Sequence, residues 1–150
     1  MTEKEKASEL FLQGYNCSQS VFAAFAYRFG IDDETALKIS AGLGGGVGRL
    51  REVCGAVSGA AMVIGSLVSA TQADDEENKK RNYELVREFT DRFTARNESI
   101  ICRNLLALSA SIVESAKPDS RTAEYYKKRP CVELVECAAK ILEDLIEENK

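Results

Sequence analysis

Apolar side chains recur along this chain at spacings of three and four, the period of a helix with one buried face. No window alternates for long with the period of two that a strand requires. Leu10, Phe11 and Gly14 close a short first helix. Asn16 caps a second, in which Cys17, Val21, Ala24, Phe25 and Phe29 share one face before Gly30 stops it. Asp32 or Asp33 caps a third, with Ala36, Leu37, Ser40 and Ala41 turned inward. A glycine cluster at Gly42, Gly44, Gly45, Gly46 and Gly48 then leads into an apolar segment over 50–70. The spacing predicts a long charged helix over 74–96, with Tyr83, Leu85, Val86, Phe89 and Phe93 on its buried stripe. The acidic run Asp74-Asp75-Glu76-Glu77 marks its start, where carboxylates suit the helix dipole. Ser99 caps a short helix through Leu108, and Pro118 breaks the stretch 117–129. Pro130 opens a last helix over 130–147, with Leu134, Val135, Ala138, Ile141, Leu142 and Leu145 inward. The fold class expected is all-α: one domain over 1–150, a compact multi-helix bundle around a buried Gly/Ala-rich central helix.

Residues 53–70 contain 18 uncharged positions, the lower limit for a membrane span, and include Gly55-x-x-x-Gly59, a small-residue packing motif. Gly55, Gly59, Gly65, Ser58, Ser66 and Ser69 hold its hydrophobicity down, so a central helix buried on several sides is expected and no membrane span. Residues 1–9 are polar and charged, with no apolar stretch behind a basic start, and a cytoplasmic location follows as the expectation. The net charge is −4, and Lys79-Lys80-Arg81 and Lys127-Lys128-Arg129 are short basic runs read as solvated helix faces. Nucleic-acid binding, which needs a wider positive field, is not expected. The chain has no histidine. That removes imidazole general-base catalysis, a Ser-His-Asp triad and the C-x-x-C-H haem signature, so no haem is expected.

Five cysteines in such a chain ask for an explanation, because reducing compartments keep disulfides transient or catalytic. Cys17 follows the cap Asn16, Cys102 lies three residues after Ser99, and Cys131 follows Pro130. Cys54 sits in the first turn of the central helix. All four fall at helix starts, where orphan N–H groups and the dipole favour thiolate, the nucleophilic and metal-binding form. Cys137 is six residues beyond Cys131, about 120° around the helix, and reads as a packed structural thiol. There is no C-x-x-C, so any pairing must come from the tertiary fold. Gly55 and Gly59, one turn apart, would let a backbone, a cluster or a partner thiol approach Cys54. The glycine cluster fits neither G-x-G-x-x-G nor the P-loop pattern, and reads as a positive-φ connection that positions Cys54. Arg49 and Arg51 either add positive potential near Cys54 or face water.

The segment Cys54-Gly55-Ala56-Val57-Ser58-Gly59, with Cys17 in Gly14-Tyr15-Asn16-Cys17-Ser18-Gln19 and with Cys102 and Cys131 behind it, resembles the redox-active cysteine family named for its C…GCAxxG…C…C pattern. The glycine-rich approach to Cys54 and the Tyr83-Glu84-Leu85-Val86 helix are similar to that family as well. The resemblance implies redox activity. It is also distantly similar to the iron–sulfur part of split-Soret cytochromes, which implies a cluster ligated by the same cysteines.

Three functions are therefore expected in competition. In thiol–disulfide exchange or electron transfer with an unidentified redox partner, one low-pKa cysteine attacks and another resolves, and helix-start position favours Cys54 or Cys17 as attacker. In a metal-binding protein, Cys17, Cys54, Cys102 and Cys131 hold an iron–sulfur cluster or, less favoured, zinc, with Gly55 and Gly59 giving it room. In a helical interaction module, Arg87, Glu88, Asp91 and Arg92 on the long charged helix serve a partner or a homodimer.

Overall fold

A computed structural model describes residues 1–107 and 115–150. Among these, eight α-helices follow in order: α1 (Glu3–Leu12), α2 (Cys17–Phe25), α3 (Asp33–Ser40), α4 (Gly55–Val68), α5 (Glu76–Asn97), α6 (Cys102–Leu105), α7 (Ala123–Lys128) and α8 (Cys131–Glu148). One turn of 3-10 helix extends α2 over Ala26–Phe29, and Gly30 ends it in the left-handed region at φ 76°. The expected all-α bundle is what forms, and α4 is its centre, packed against α2, α5 and α8.

Five of the eight helices begin with a polar side chain that accepts from a first-turn N–H, whereas α4, α6 and α8 have no side-chain cap. Thr2 and Glu5 form a capping box on α1, and Asn16 and Gln19 form another on α2. Asp32, Asp75 and Thr122 cap α3, α5 and α7. The buried stripe of α8 carries Leu134, Val135, Ala138, Ile141, Leu142 and Leu145, all as the spacing requires. Its face closes on α1, where the Ser8 hydroxyl donates to Glu136 at 2.9 Å, and on α5, where Arg92 forks onto Glu148 at 2.7 and 2.9 Å. Phe89 and Phe93 stack within the core, ring centroids 5.9 Å apart. Burying each contributes about 2–3 kcal/mol against leaving it in water.

Some expectations are corrected. Tyr83 is exposed: only Phe89 and Phe93 of α5 are fully enclosed, because the helix touches α4 and α8 along a narrow stripe. Ala41 lies outside α3 and faces solvent. Ile101, not Ser99, is the N-cap of α6; the Ser99 hydroxyl instead accepts from the Ile101 N–H at 3.0 Å. Leu108, the expected end of that helix, lies outside the described residues. Among the described residues no helix is long and apolar enough to cross a membrane.

Gly55 and Gly59 are the reason α4 can sit at the centre. A Cβ on Gly55 would meet the Ser18 N at 3.0 Å, the Cys17 Cβ at 3.2 Å and the Leu43 carbonyl at 3.2 Å. One on Gly59 would meet the Ser18 carbonyl at 2.9 Å and the Val21 Cβ at 3.2 Å. Two bare turns of α4 thus lie directly on the first turn of α2, and α2 begins with Cys17.

Candidate functional site: a four-thiol cavity

Four helix starts meet at one place. Cys54 is the N-cap of α4, and Cys17, Cys102 and Cys131 are the first residues of α2, α6 and α8. All four line a cavity of about 60 Å³, together with Arg51, Arg121 and Tyr125. That volume suits about two waters.

Backbone contacts bring these elements together. Val53 and Ile101 form an isolated antiparallel bridge. Beside it the Cys54 N–H donates to the Ile100 carbonyl at 2.7 Å, and the Cys102 N–H donates to the Glu52 carbonyl at 2.6 Å. The start of α4 is therefore tied to the start of α6. The Asn16 side chain does the same for α2: its Oδ1 accepts from the Gln19 N–H at 2.9 Å while its Nδ2 donates to the Ala41 carbonyl at 3.0 Å. Arg121 draws in the segment ahead of α8, donating to the Phe11 carbonyl at 2.9 Å and the Tyr15 carbonyl at 2.8 Å, with its guanidinium 4.3 Å from the Phe11 ring centroid.

The glycine cluster is a tight left-handed turn. Gly45, Gly46, Val47, Gly48, Arg49 and Arg51 all have φ between 56° and 72°. Glycine takes this conformation at no steric cost, whereas Val47, Arg49 and Arg51 each cost about 1–2 kcal/mol. The turn delivers the Arg51 side chain inward. Arg51 is buried, and its guanidinium donates to the Cys102 sulfur at 3.6 Å.

The four thiols are electrostatically unequal. Burial pushes Cys54 up to about 12, although the N–H groups of Ala56 and Val57 oppose it. Cys102 is raised by burial, with the Arg51 guanidinium pulling the other way. Cys17 and Cys131 adjoin and share a hydrogen bond: Cys17 keeps its proton and donates it, which raises Cys17 and lowers Cys131. Arg129, Arg121 and Arg51 lower Cys131 further, against the cost of its burial, to about 7. A helix start therefore does not by itself make a thiolate. At Cys54 and Cys102 the loss of hydration outweighs the dipole, whereas Cys131 is lowered by its neighbour Cys17 and the surrounding guanidiniums.

Residues 15–145 match the family described as "Putative redox-active protein (C_GCAxxG_C_C)". The chain belongs to the C_GCAxxG_C_C family. No curated protein and no solved structure matches it. Cys17, Cys54, Cys102 and Cys131 all lie within the matched residues, and all four line the cavity. The family name spells Gly-Cys-Ala, whereas the chain reads Cys54-Gly55-Ala56. The fold accounts for this order: position 55 lies against the Ser18 backbone and has no room for a side chain, while position 54 opens onto the cavity.

Cys137 does not line the cavity; the Asn97 amide donates to its sulfur at 3.4 Å, on the side of α8 facing α5. Gly55 lines the cavity and Gly59 packs against α2 one turn below. Among the described residues no three Cys, Asp or Glu side chains are placed to hold a metal ion.

Sequence reasoning missed Arg121, Arg129, Tyr125 and Asp119. Asp119 accepts from Arg49 at 3.3 Å and Arg129 at 3.2 Å, and lies 3.9 Å from Arg51. Arg129, expected on a solvated basic face, turns toward Asp119 and Cys131 instead. Its position two residues before Cys131 was the available signal.

Proposed function

We propose that the protein exchanges thiols and disulfides at the Cys17–Cys131 pair, with Cys131 attacking and Cys17 resolving. The observation that carries this reading is the shared hydrogen bond between the two thiols, with three guanidiniums favouring the Cys131 thiolate. Membership of a redox-active family supports it. The Cys131 thiolate attacks one sulfur of an incoming disulfide, a new S–S bond forms, and the other sulfur leaves as thiolate. Cys17 then gives up its proton to the departing thiolate and attacks the Cys131 sulfur. The Cys17–Cys131 disulfide forms and the second half of the substrate is released. Two protein thiols are oxidised and one external disulfide is reduced to two thiols. Cys54 and Cys102 border the same cavity as protonated reserve thiols.

The test is mass spectrometry after brief exposure to a disulfide reagent and quenching by alkylation. A Cys17–Cys131 cross-linked peptide is expected, absent from Cys131→Ser and from Cys17→Ser. If all five thiols prove equally inert at pH 7, the reading fails.

Four thiols on one cavity also favour metal binding, by an iron–sulfur cluster or by zinc, as a second reading. It requires the sulfurs to close in from their positions here. Anaerobic purification with visible absorption and metal analysis separates the two: a folded, colourless, metal-free protein that forms the cross-link supports exchange.

A further inference from the structure

The C-terminal ends of α4 and α8 and the first half of α5 enclose a second space, about 220 Å³ in volume. It shares no residue with the thiol cavity, and the length of α4, 14 residues or about 21 Å, separates it from Cys54. Val63, Leu142 and Leu145 are buried at its floor, and Leu67, Leu85 and Ile146 form more exposed walls. Its polar lining is confined to one edge, where Arg81, Asn149 and Lys150 stand together.

An apolar pocket with one polar edge is the make-up of a site for a small amphiphile. A water molecule needs about two to four polar partners, and the floor offers none. Water there is poorly held, and an apolar group gains by displacing it. Size limits the occupant. A cavity of about 150 Å³ takes benzene, so this one takes roughly nine or ten heavy atoms. One turn of helix, about 10 Å across and about 5.4 Å long, fills about 400 Å³, so no partner helix enters. The edge sets the head group. Arg81 donates to the neutral Asn149 side-chain oxygen at 3.3 Å and makes no ion pair among the described residues. The last two carboxylates of α8 are engaged elsewhere, Glu147 with Lys150 at 2.8 Å and Glu148 with Arg92 at 2.7 Å. The planar guanidinium of Arg81 matches a carboxylate, which can accept two parallel N–H bonds.

We propose that this pocket binds a small monocarboxylate with an apolar tail of about seven carbons. The tail lies on the floor between α4 and α8, and the carboxylate takes the Arg81 guanidinium at the edge. The site is separate from the thiols and does not depend on the exchange chemistry.

The experiment titrates octanoate, octanol and octylammonium, which share a tail and differ in head group, into the full chain under reducing conditions and below micelle formation. Binding is followed by the methyl NMR signals of Val63, Val68, Leu85 and Ile146. Octanoate is expected to shift these signals saturably and to bind about 5-fold more tightly than octylammonium. Arg81→Gln should remove that preference and leave octanol unchanged. Arg87→Gln, on α5 but outside the pocket, should change neither. Val68→Phe, which fills the space, should abolish binding of octanoate and octanol alike, and Leu85→Phe serves where Val68→Phe unfolds, folding being checked by circular dichroism. If no probe shifts these methyls, the pocket is not a ligand site. If octylammonium binds as tightly as octanoate, or Arg81→Gln leaves octanoate unaffected, the pocket does not read a carboxylate. If the same signals move with protein concentration alone, a second copy of the chain covers this face and the proposal falls.

Discussion

Three glycines on one helix should respond to alanine with opposite signs. Gly55, Gly59 and Gly65 all lie within α4, and replacing a helical glycine by alanine gains about 0.5–1 kcal/mol from backbone entropy alone. At Gly65 nothing opposes that gain: a Cβ would sit 3.9 Å from Asn82 Nδ2 and Ser69 Oγ, an ordinary contact. At Gly59 the Cβ would come to 2.9 Å from the Ser18 carbonyl, a backbone atom that moves only if α2 moves. At Gly55 it would meet the Ser18 N and the Cys17 Cβ at 3.0 and 3.2 Å. Overpacking of this kind costs about 1–3 kcal/mol, so after the entropy gain Gly59→Ala and Gly55→Ala should each lose about 1–2 kcal/mol. For a chain of this size that is a fall in melting temperature of about 2–8 °C, against a rise of about 1–4 °C for Gly65→Ala. Urea unfolding under reducing conditions measures all three, with an unchanged m-value showing that the unfolded state is not the cause. Gly55→Ala should also slow closure of the Cys17–Cys131 pair, since the atoms that must yield belong to Cys17 and Ser18. If Gly59→Ala stabilises the protein as much as Gly65→Ala, α4 does not sit on α2 as described and the route by which Cys17 reaches the cavity is wrong.

Alkylation by iodoacetamide, followed residue by residue by mass spectrometry, should label Cys131 first, with its rate rising through pH about 7, while Cys54, pushed up to about 12, stays unlabelled at pH 8; labelling of Cys54 ahead of Cys131 contradicts the electrostatic picture. Because the folded pKa of Cys54 is raised, its contribution is fully present below the thiol's ordinary value of 9.0 and is lost as pH climbs from there toward about 12. Three units amount to about 4 kcal/mol, and Cys54→Ala should flatten that alkaline loss in chemical denaturation. Val47→Gly should stabilise the protein by about 0.5–1 kcal/mol, since a β-branched residue at φ 67° is strained and Val47 is 37% exposed; a lower denaturation midpoint in that variant would show that the left-handed turn is not strained there.

Local chemistry was legible from the chain alone. The helix starts at Asn16, Asp75 and Pro130, the stop at Gly30, the inward stripe of α8 and the central position of the Gly/Ala-rich helix all follow from rules that act within a few residues. The start at Cys17 is written in its Asn16 and Gln19 neighbours and that at Cys131 in Pro130, whereas Cys102 lies at a helix start although Ser99 is not its cap. Tyr83 shows where that reading stops: its spacing matches the stripe of α5, but a stripe is buried only as far as a neighbouring helix extends over it.

Which thiol is acidic was decided by tertiary structure. The four helix starts look alike in the sequence and differ in the fold, because desolvation and charge depend on everything within several ångströms regardless of chain distance. Cys54 is the more deeply buried, whereas Cys131 receives a hydrogen bond from Cys17, more than a hundred residues away, and the field of Arg51, Arg121 and Arg129 from three separate segments. The meeting of those segments is not encoded in any local window. It arises where bare glycine turns let α4 rest on α2 and where the bridge between Val53 and Ile101 ties α4 to α6.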